Sequence, residues 1–194
     1  IPEKFKVAKS LIENINQNGE KVIVWFNFVK NIKLFSSYLY KSGINSEVIY
    51  GEIPLKGDSD EYHEDNKTRE AIIREFHNPE SNFKVLIANT ATIGESISLH
   101  LACSHAIYVE RDFNAASYLQ SKDRIHRKGM PDNQIANYYF LESELSIDQT
   151  ISERLDFKIK NLESIIEHEI PFFSIFENED FEDLKSIVEG YESR

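Results

Sequence analysis

Short apolar runs alternating with longer amphipathic stretches constrain this chain more than any other feature of its sequence. Val22-Ile23-Val24-Trp25-Phe26 is apolar throughout, as a strand is when a parallel sheet buries both of its faces. Strand-like runs also occupy 46–50, 83–88, 105–109 and 135–141. Helical periods lie between them. Residues 3–18 carry Phe5, Val7, Ala8, Leu11, Ile12 and Ile15 at near-helical spacing and stop at Asn18-Gly19. Residues 29–42 read as a helix closed by Gly43, and 68–77 and 115–127 as two more. A glycine just past the last apolar turn supplies the left-handed residue on which helices commonly end. Strand and helix alternate in this way when the strands run parallel and each crossover is a helix. The expected fold is α/β, with a mainly parallel sheet between helices in three layers and a helical extension after it.

Residues 52–66 break the alternation. They are acidic, contain glycine and proline, and show no period, so they read as a long exposed loop. Inside lies Asp60-Glu61-Tyr62-His63, a D-E-x-H string of the kind that holds magnesium in nucleotide-hydrolysing enzymes. Such an aspartate needs an apolar strand before it to keep the carboxylate rigid. Here Lys56-Gly57-Asp58-Ser59 precedes it, and that is turn chemistry. His63 beside Glu61, Glu64 and Asp65 is read as part of a solvated acidic loop, so no metal site is expected. Past the sheet, Ile147, Ile151, Leu155, Ile159, Leu162, Ile165 and Ile166 mark a long amphipathic helix over 147–169. Pro171-Phe172-Phe173 breaks it, and 174–194 mixes Phe176, Phe181, Leu184 and Val188 with dense carboxylates. Three parts result: a lobe over 1–145, a packing helix over 146–170 and an acidic segment over 171–194.

The net charge of −11 argues against a nucleic-acid partner until it is located. Residues 141–194 hold 15 acidic and 5 basic side chains, which leaves 18 acidic and 17 basic in residues 1–140. The body is near neutral and the acidity belongs to the C-terminal part, so bulk charge neither excludes nor supports nucleic acid. Cys103 is the only cysteine, which rules out an internal disulfide and a cysteine-clustered zinc site. It sits in an apolar stretch before a strand and reads as core. No apolar run approaches membrane-spanning length. A reduced compartment is expected, cytoplasmic or, in a eukaryote, nuclear.

The chemistry concentrates in Gln120-Ser121-Lys122-Asp123-Arg124-Ile125-His126-Arg127-Lys128-Gly129. Two arginines three residues apart would project from one helical face. Each guanidinium stays charged and offers planar donors matched to phosphate oxygens. On spacing alone, a solvated basic helix end is the commoner fate of such a pair. The wider string, however, resembles motif VI of the superfamily-two helicases, in the Q-x-x-D-R-x-H-R-x-G-Q form of the Swi/Snf-type ATPases. Every defined position matches except the last, where Met130 stands for glutamine. Val85-Leu86-Ile87-Ala88-Asn89-Thr90-Ala91-Thr92-Ile93-Gly94-Glu95-Ser96-Ile97-Ser98-Leu99 resembles motif V through Thr90, Gly94 and Leu99. Ile93 and Ser96 stand where glycines are usual, and Ser98 where asparagine is. Asp112-Phe113-Asn114 resembles the D-W-N before motif VI, Lys21 to Phe28 resembles motif IV, and Tyr50-Gly51 resembles the turn one strand later. The likeness runs in family order over about 3–170.

The resemblance implies the second RecA-like lobe of a two-lobed motor. No G-x-x-x-x-G-K-[ST] string occurs, so ATP and Mg2+ would be bound mainly by a missing N-terminal RecA-like lobe of the same polypeptide, and this piece alone would be inactive. Arg124 and Arg127 would then be the catalytic arginines that cross onto the γ-phosphate. Gln120 and Gly94 would join them at the ATP, and Asp123 would orient the helix or an arginine, or form an ordinary surface ion pair. Thr90, Asn27 and Phe28 would grip a nucleic-acid backbone, with double-stranded DNA the preferred partner. Glu95 would repel a phosphate at that turn unless it bonds a loop N–H or an arginine. The implied function is the motor lobe of an ATP-dependent DNA helicase or translocase. An RNA helicase or restriction-system motor lobe stays open, as does a non-catalytic helicase-like scaffold that uses its acidic tail.

Overall fold

The computed structural model describes residues 1–54, 68–92, 98–127, 129 and 134–168. Its elements are α1 (Glu3–Gln17), β1 (Val22–Phe26), α2 (Val29–Lys41), β2 (Ser46–Ile49), α3 (Arg69–His77), β3 (Val85–Asn89), β4 (His105–Tyr108), α4 (Ala115–Lys122), β5 (Asn137–Phe140) and α5 (Ile147–His168). The five strands form one sheet in the order β2-β3-β1-β4-β5. Every pairing is parallel, with Val22 opposite both Val85 and His105. The fold is the RecA-like α/β arrangement.

The chain divides into two compact units. One comprises Ile1–Glu110 with Ser117–Leu141, and the other comprises Arg111–Ala116 with the chain from Glu142 on. In the first, strand parity sorts side chains into two cores. Ile23, Trp25, Leu86, Ala88, Ala106 and Tyr108 face one side, where Ile72 and Phe76 of α3 and Ile125 cover them. Val22, Val24, Phe26, Val85, Ile87 and Ile107 face the other, under Phe5, Ala8 and Ile12 of α1 and Ile32, Phe35 and Leu39 of α2. All of β1 is buried, so its continuous apolar run is filled on both sides. Each fully buried Val, Ile or Leu contributes about 1.5–3 kcal/mol.

Caps fix where the helices begin and end. Gly19 at φ 82° and Gly43 at φ 77° take the left-handed turns after α1 and α2, and Ile44 N–H closes onto Leu39 C=O at 3.0 Å. Thr68 caps α3 by accepting from Ala71 N–H at 3.2 Å. At the other end, Lys21 Nζ donates to Phe76 and Asn78 C=O, both at 2.6 Å, where a cation also complements the helix dipole.

In the second unit, Arg111 bonds the Glu142 carboxylate and the Ser152 hydroxyl of α5. Lys158 Nζ, further along α5, donates to Phe113 C=O at 3.2 Å. Asp112 Oδ1 accepts from Asn114 N–H at 3.0 Å. The Asp112-Phe113-Asn114 segment is thereby tied to α5. Among the described residues no helix is long and apolar enough to cross a membrane.

Candidate functional site

Because all strands run parallel, the chain leaves each of them at the same edge of the sheet. Asn27 and Phe28 follow β1, Thr90 follows β3, Gly51 lies just past β2 and Glu110 just past β4. The carboxyl edge therefore brings together the three residues expected to grip a nucleic acid. Thr90 Oγ1 donates to Asn27 Oδ1 at 3.1 Å, and Thr90 N–H donates to Phe26 C=O at 3.4 Å. Phe28 is 65% exposed, an aromatic face open to solvent. Gly94, Glu95 and the rest of the loop after Thr92 lie outside the described residues, as do Asp60 to His63.

Three further residues shape this edge. Asn89 Nδ2 donates to Asn27 C=O at 2.5 Å and its Oδ1 accepts from Ala91 N–H at 2.8 Å, so one side chain braces both turns. Glu110 Oε2 accepts from the N–H groups of Asn27 and Phe28 at 3.1 and 3.0 Å, and its Oε1 accepts from Asn31 Nδ2. Arg69 donates Nε to Ile53 C=O at 2.6 Å and an Nη to Gly51 C=O at 2.9 Å, with the other Nη 3.5 Å from Thr92 C=O. It draws the exits of β2 and β3 together and brings a positive charge to the edge. Sequence reasoning missed all three, because each acts on partners distant along the chain. Glu110 alone left a signal: a carboxylate directly after a buried apolar strand sits where sheets of this type take ligands.

The motif VI string departs from the expected continuous helix. α4 ends at Lys122, and Asp123, Arg124 and Ile125 form turns. Lys122 C=O still accepts from His126 N–H at 3.1 Å and takes Tyr138 Oη as well, also at 3.1 Å. Leu99 N–H claims Arg124 C=O at 2.8 Å, an acceptor that the next helical turn would need. Ser121, joined to Tyr108 Oη at 2.8 Å, also bonds back to Tyr118 C=O at 2.6 Å, a contact that bends helices. Ile125 is fully buried and pulls the turn inward.

The two arginines are consequently unlike. Arg124 is 7% exposed, whereas Arg127 and Gln120 face solvent. The fork of two guanidinium groups on one solvent face is replaced by one buried arginine and one presented arginine. Asp123 is exposed. It adds to the burial that pushes the nearby Tyr138 hydroxyl up to about 12. Among the described residues, no group of three His, Cys, Asp or Glu side chains could hold a metal ion.

The family described as the helicase conserved C-terminal domain matches residues 3–129. The chain belongs to that helicase C-terminal family. Among its relatives, the ATP-dependent DNA helicase DDM1 of Arabidopsis thaliana is 25% identical over 163 residues, which cover 84% of this chain and 19% of that protein. The SNF2 domain-containing protein CLASSY 3 of Arabidopsis thaliana is 31% identical over 129 residues, 65% of this chain and 8% of that protein. Lymphoid-specific helicase of Homo sapiens is 26% identical over 195 residues, 98% of this chain and 21% of that protein. The chain thus spans about a fifth or less of the length of these curated relatives. A solved structure of the C-terminal part of the Fun30 ATPase domain shares the fold, with a TM-score of 0.64 at 22% identity, over 78% of this chain and 44% of that one. These likenesses put the helicase C-terminal lobe in the Swi/Snf-like branch of superfamily two.

Proposed function

We propose that this lobe is the second motor lobe of an ATP-dependent DNA helicase or translocase. In this reading it contributes arginines to an ATP held mainly by a first lobe of the same polypeptide, and half of a grip on the nucleic-acid backbone. The observation that carries it is the pairing of Asn27 with Thr90 at the carboxyl edge, in the chain that also presents Arg127 and Gln120 to solvent. A triphosphate suits that donor set, because a guanidinium and an amide donate to phosphate oxygens. In this reading Mg2+ is bound with the ATP, mainly by the first lobe.

The mechanism follows from differential binding. Arg127 reaches the phosphates only when the lobes close, so its bonds favour closure while the nucleotide is intact. A guanidinium beside the transferring phosphoryl group stabilises the charge that develops there. Gln120, in the last turn of α4, orients on the nucleotide or on the facing lobe. Arg124, held in the wall of this lobe, fixes the turn that carries Arg127 and adds charge to the same cleft. Once the γ-phosphate has left, the arginines lose their partner and the lobes part. With Asn27, Thr90 and Phe28 holding the backbone during one phase and the other lobe holding it during the next, each cycle moves the grip along the strand.

The test is the full-length parent protein. Its ATPase should rise when duplex DNA is added, and Arg127→Ala should lower turnover by roughly 10³-fold or more, the scale on which phosphoryl-transfer arginines act. Near-normal turnover in that variant would leave Arg127 a solvated surface charge.

A further inference from the structure

Glu110 stands at the crevice between the carboxyl ends of β1 and β4. From β1 the chain crosses towards β2 on one side, and from β4 it crosses towards β5 on the other. Sheets wound in this way take ligands at that crevice, and a helix N-terminus there is a ready anion site. α2 begins at the crevice, and its N-cap Phe28 offers no side-chain bond. The anion place is nevertheless filled from within the lobe. The Glu110 carboxylate takes the N–H groups of Asn27 and Phe28 on one oxygen and the Asn31 amide on the other. Those backbone donors are therefore closed to a phosphate.

Within the Asn27-Phe28 turn itself, that leaves the side chain of Asn27. Its C=O accepts from Asn89 and its Oδ1 accepts the Thr90 hydroxyl. The Thr90 proton is committed to that bond, while Asn27 Nδ2 has no hydrogen-bond partner among the described residues. Asn27 is thus held at its N–H, its C=O and its Oδ1, and only the Nδ2 hydrogens remain to donate outward.

Building on the proposed nucleic-acid grip, we propose that Glu110 is its positioning residue. It locks the turn after β1 so that the Asn27 side-chain amide is the phosphate donor, in place of the turn's backbone or the Thr90 hydroxyl. Thr90 then acts by fixing which way the amide points. The carboxylate is neutralised locally by three donors, so it organises the turn more than it repels a strand.

The experiment is duplex-stimulated ATPase of the full-length parent, with KM for duplex and kcat at saturation read separately. Glu110→Gln takes the charge out of all three bonds, leaves one oxygen for the turn N–H groups, and obliges the Asn31 amide to turn over to meet the new nitrogen. It should raise KM for duplex about tenfold, the worth of one bond to a charged group, with kcat within about twofold. Pairing Glu110→Gln with Asn31→Asp puts a carboxylate back into the cluster, opposite the new amide nitrogen, at unchanged total charge and should return KM to within about threefold of wild type. Asn27→Asp keeps the shape but replaces the outward donor by a charge, and should abolish duplex stimulation. If Glu110→Gln does not fold, Asn31→Ala withdraws one of the three donors and should raise KM by about threefold. A wild type that responds to duplex while Glu110→Gln has an unchanged or lower KM overturns the positioning role alone; a lower KM would mean that the carboxylate repels the strand. A wild type indifferent to every nucleic acid overturns this inference together with the proposed function.

Discussion

At the scale of single residues, burial separates two arginines that the sequence spaces like a matched pair. Arg124, at 7% exposure, lines the lobe's interior, and its long stem packs there as well as carrying charge. Arg124→Ala should lower the unfolding free energy of this 194-residue chain by about 1–3 kcal/mol, whereas Arg127→Ala should stay within about 0.5 kcal/mol of wild type. Urea denaturation followed by circular dichroism separates the two, and equal destabilisation would contradict the asymmetry. Motif spacing placed Thr90 and Asn27 at one site, because parallel strands deliver their exits to a common edge, and the 3.1 Å bond between them joins the pair. Asn89 and Arg69 were not legible, and Glu110 was legible only as a carboxylate directly after a buried apolar strand. Their partners are fixed by strand order, and strand order is not written in any local window of sequence.

At the scale of elements, the alternation of apolar runs with helical periods was enough to locate every strand and helix among the described residues of the lobe. The five parallel strands and the glycine-closed α1 and α2 stand where the pattern put them. α4 ends earlier than the pattern implies, and the Leu99 bond that takes the Arg124 carbonyl comes from a segment outside the motif VI string. The core face that buries Cys103 and carries Tyr138 against it has a titration consequence. Burial pushes the Cys103 thiol from 9.0 up to about 12, and burial with Asp123 pushes Tyr138 from 10.0 up to about 12. Both groups stay protonated in the fold beyond the pH at which the unfolded chain loses the proton, so their contribution is complete below about pH 9 and disappears as pH climbs towards 12. Lys21, held below its usual 10.5 by burial, acts in the opposite sense just under that value. Urea midpoints taken from about pH 8 to about pH 11 should fall from about pH 9 upwards, and in Cys103→Ala the fall should begin about one unit later, when Tyr138 takes over. Parallel curves for the two proteins would mean that the thiol does not set the alkaline limb.

At the scale of the whole molecule, charge is divided along the chain. Residues 1–140 carry 18 acidic and 17 basic side chains, and 141–194 carry 15 and 5. A single lobe with so little excess positive charge can neutralise only a few phosphates at once, and each contact adds about 0.9 to the slope of log affinity against log salt on duplex DNA. The isolated chain should therefore bind duplex weakly, with a slope of only about 2–3, and should release no phosphate from ATP above background. Residues 174–194 hold 7 acidic and 2 basic side chains, so their removal lifts much of the field opposing a polyanion. Duplex affinity of the truncated chain should rise several-fold at about 50 mM salt and converge with that of the full chain near about 0.5 M, where screening reaches only a few ångströms. A gain that persisted at high salt would instead mean that the tail covers the strand path by contact. No gain at any salt would place the acidic segment away from the nucleic acid altogether, and its charge would then have to be explained by a partner other than DNA.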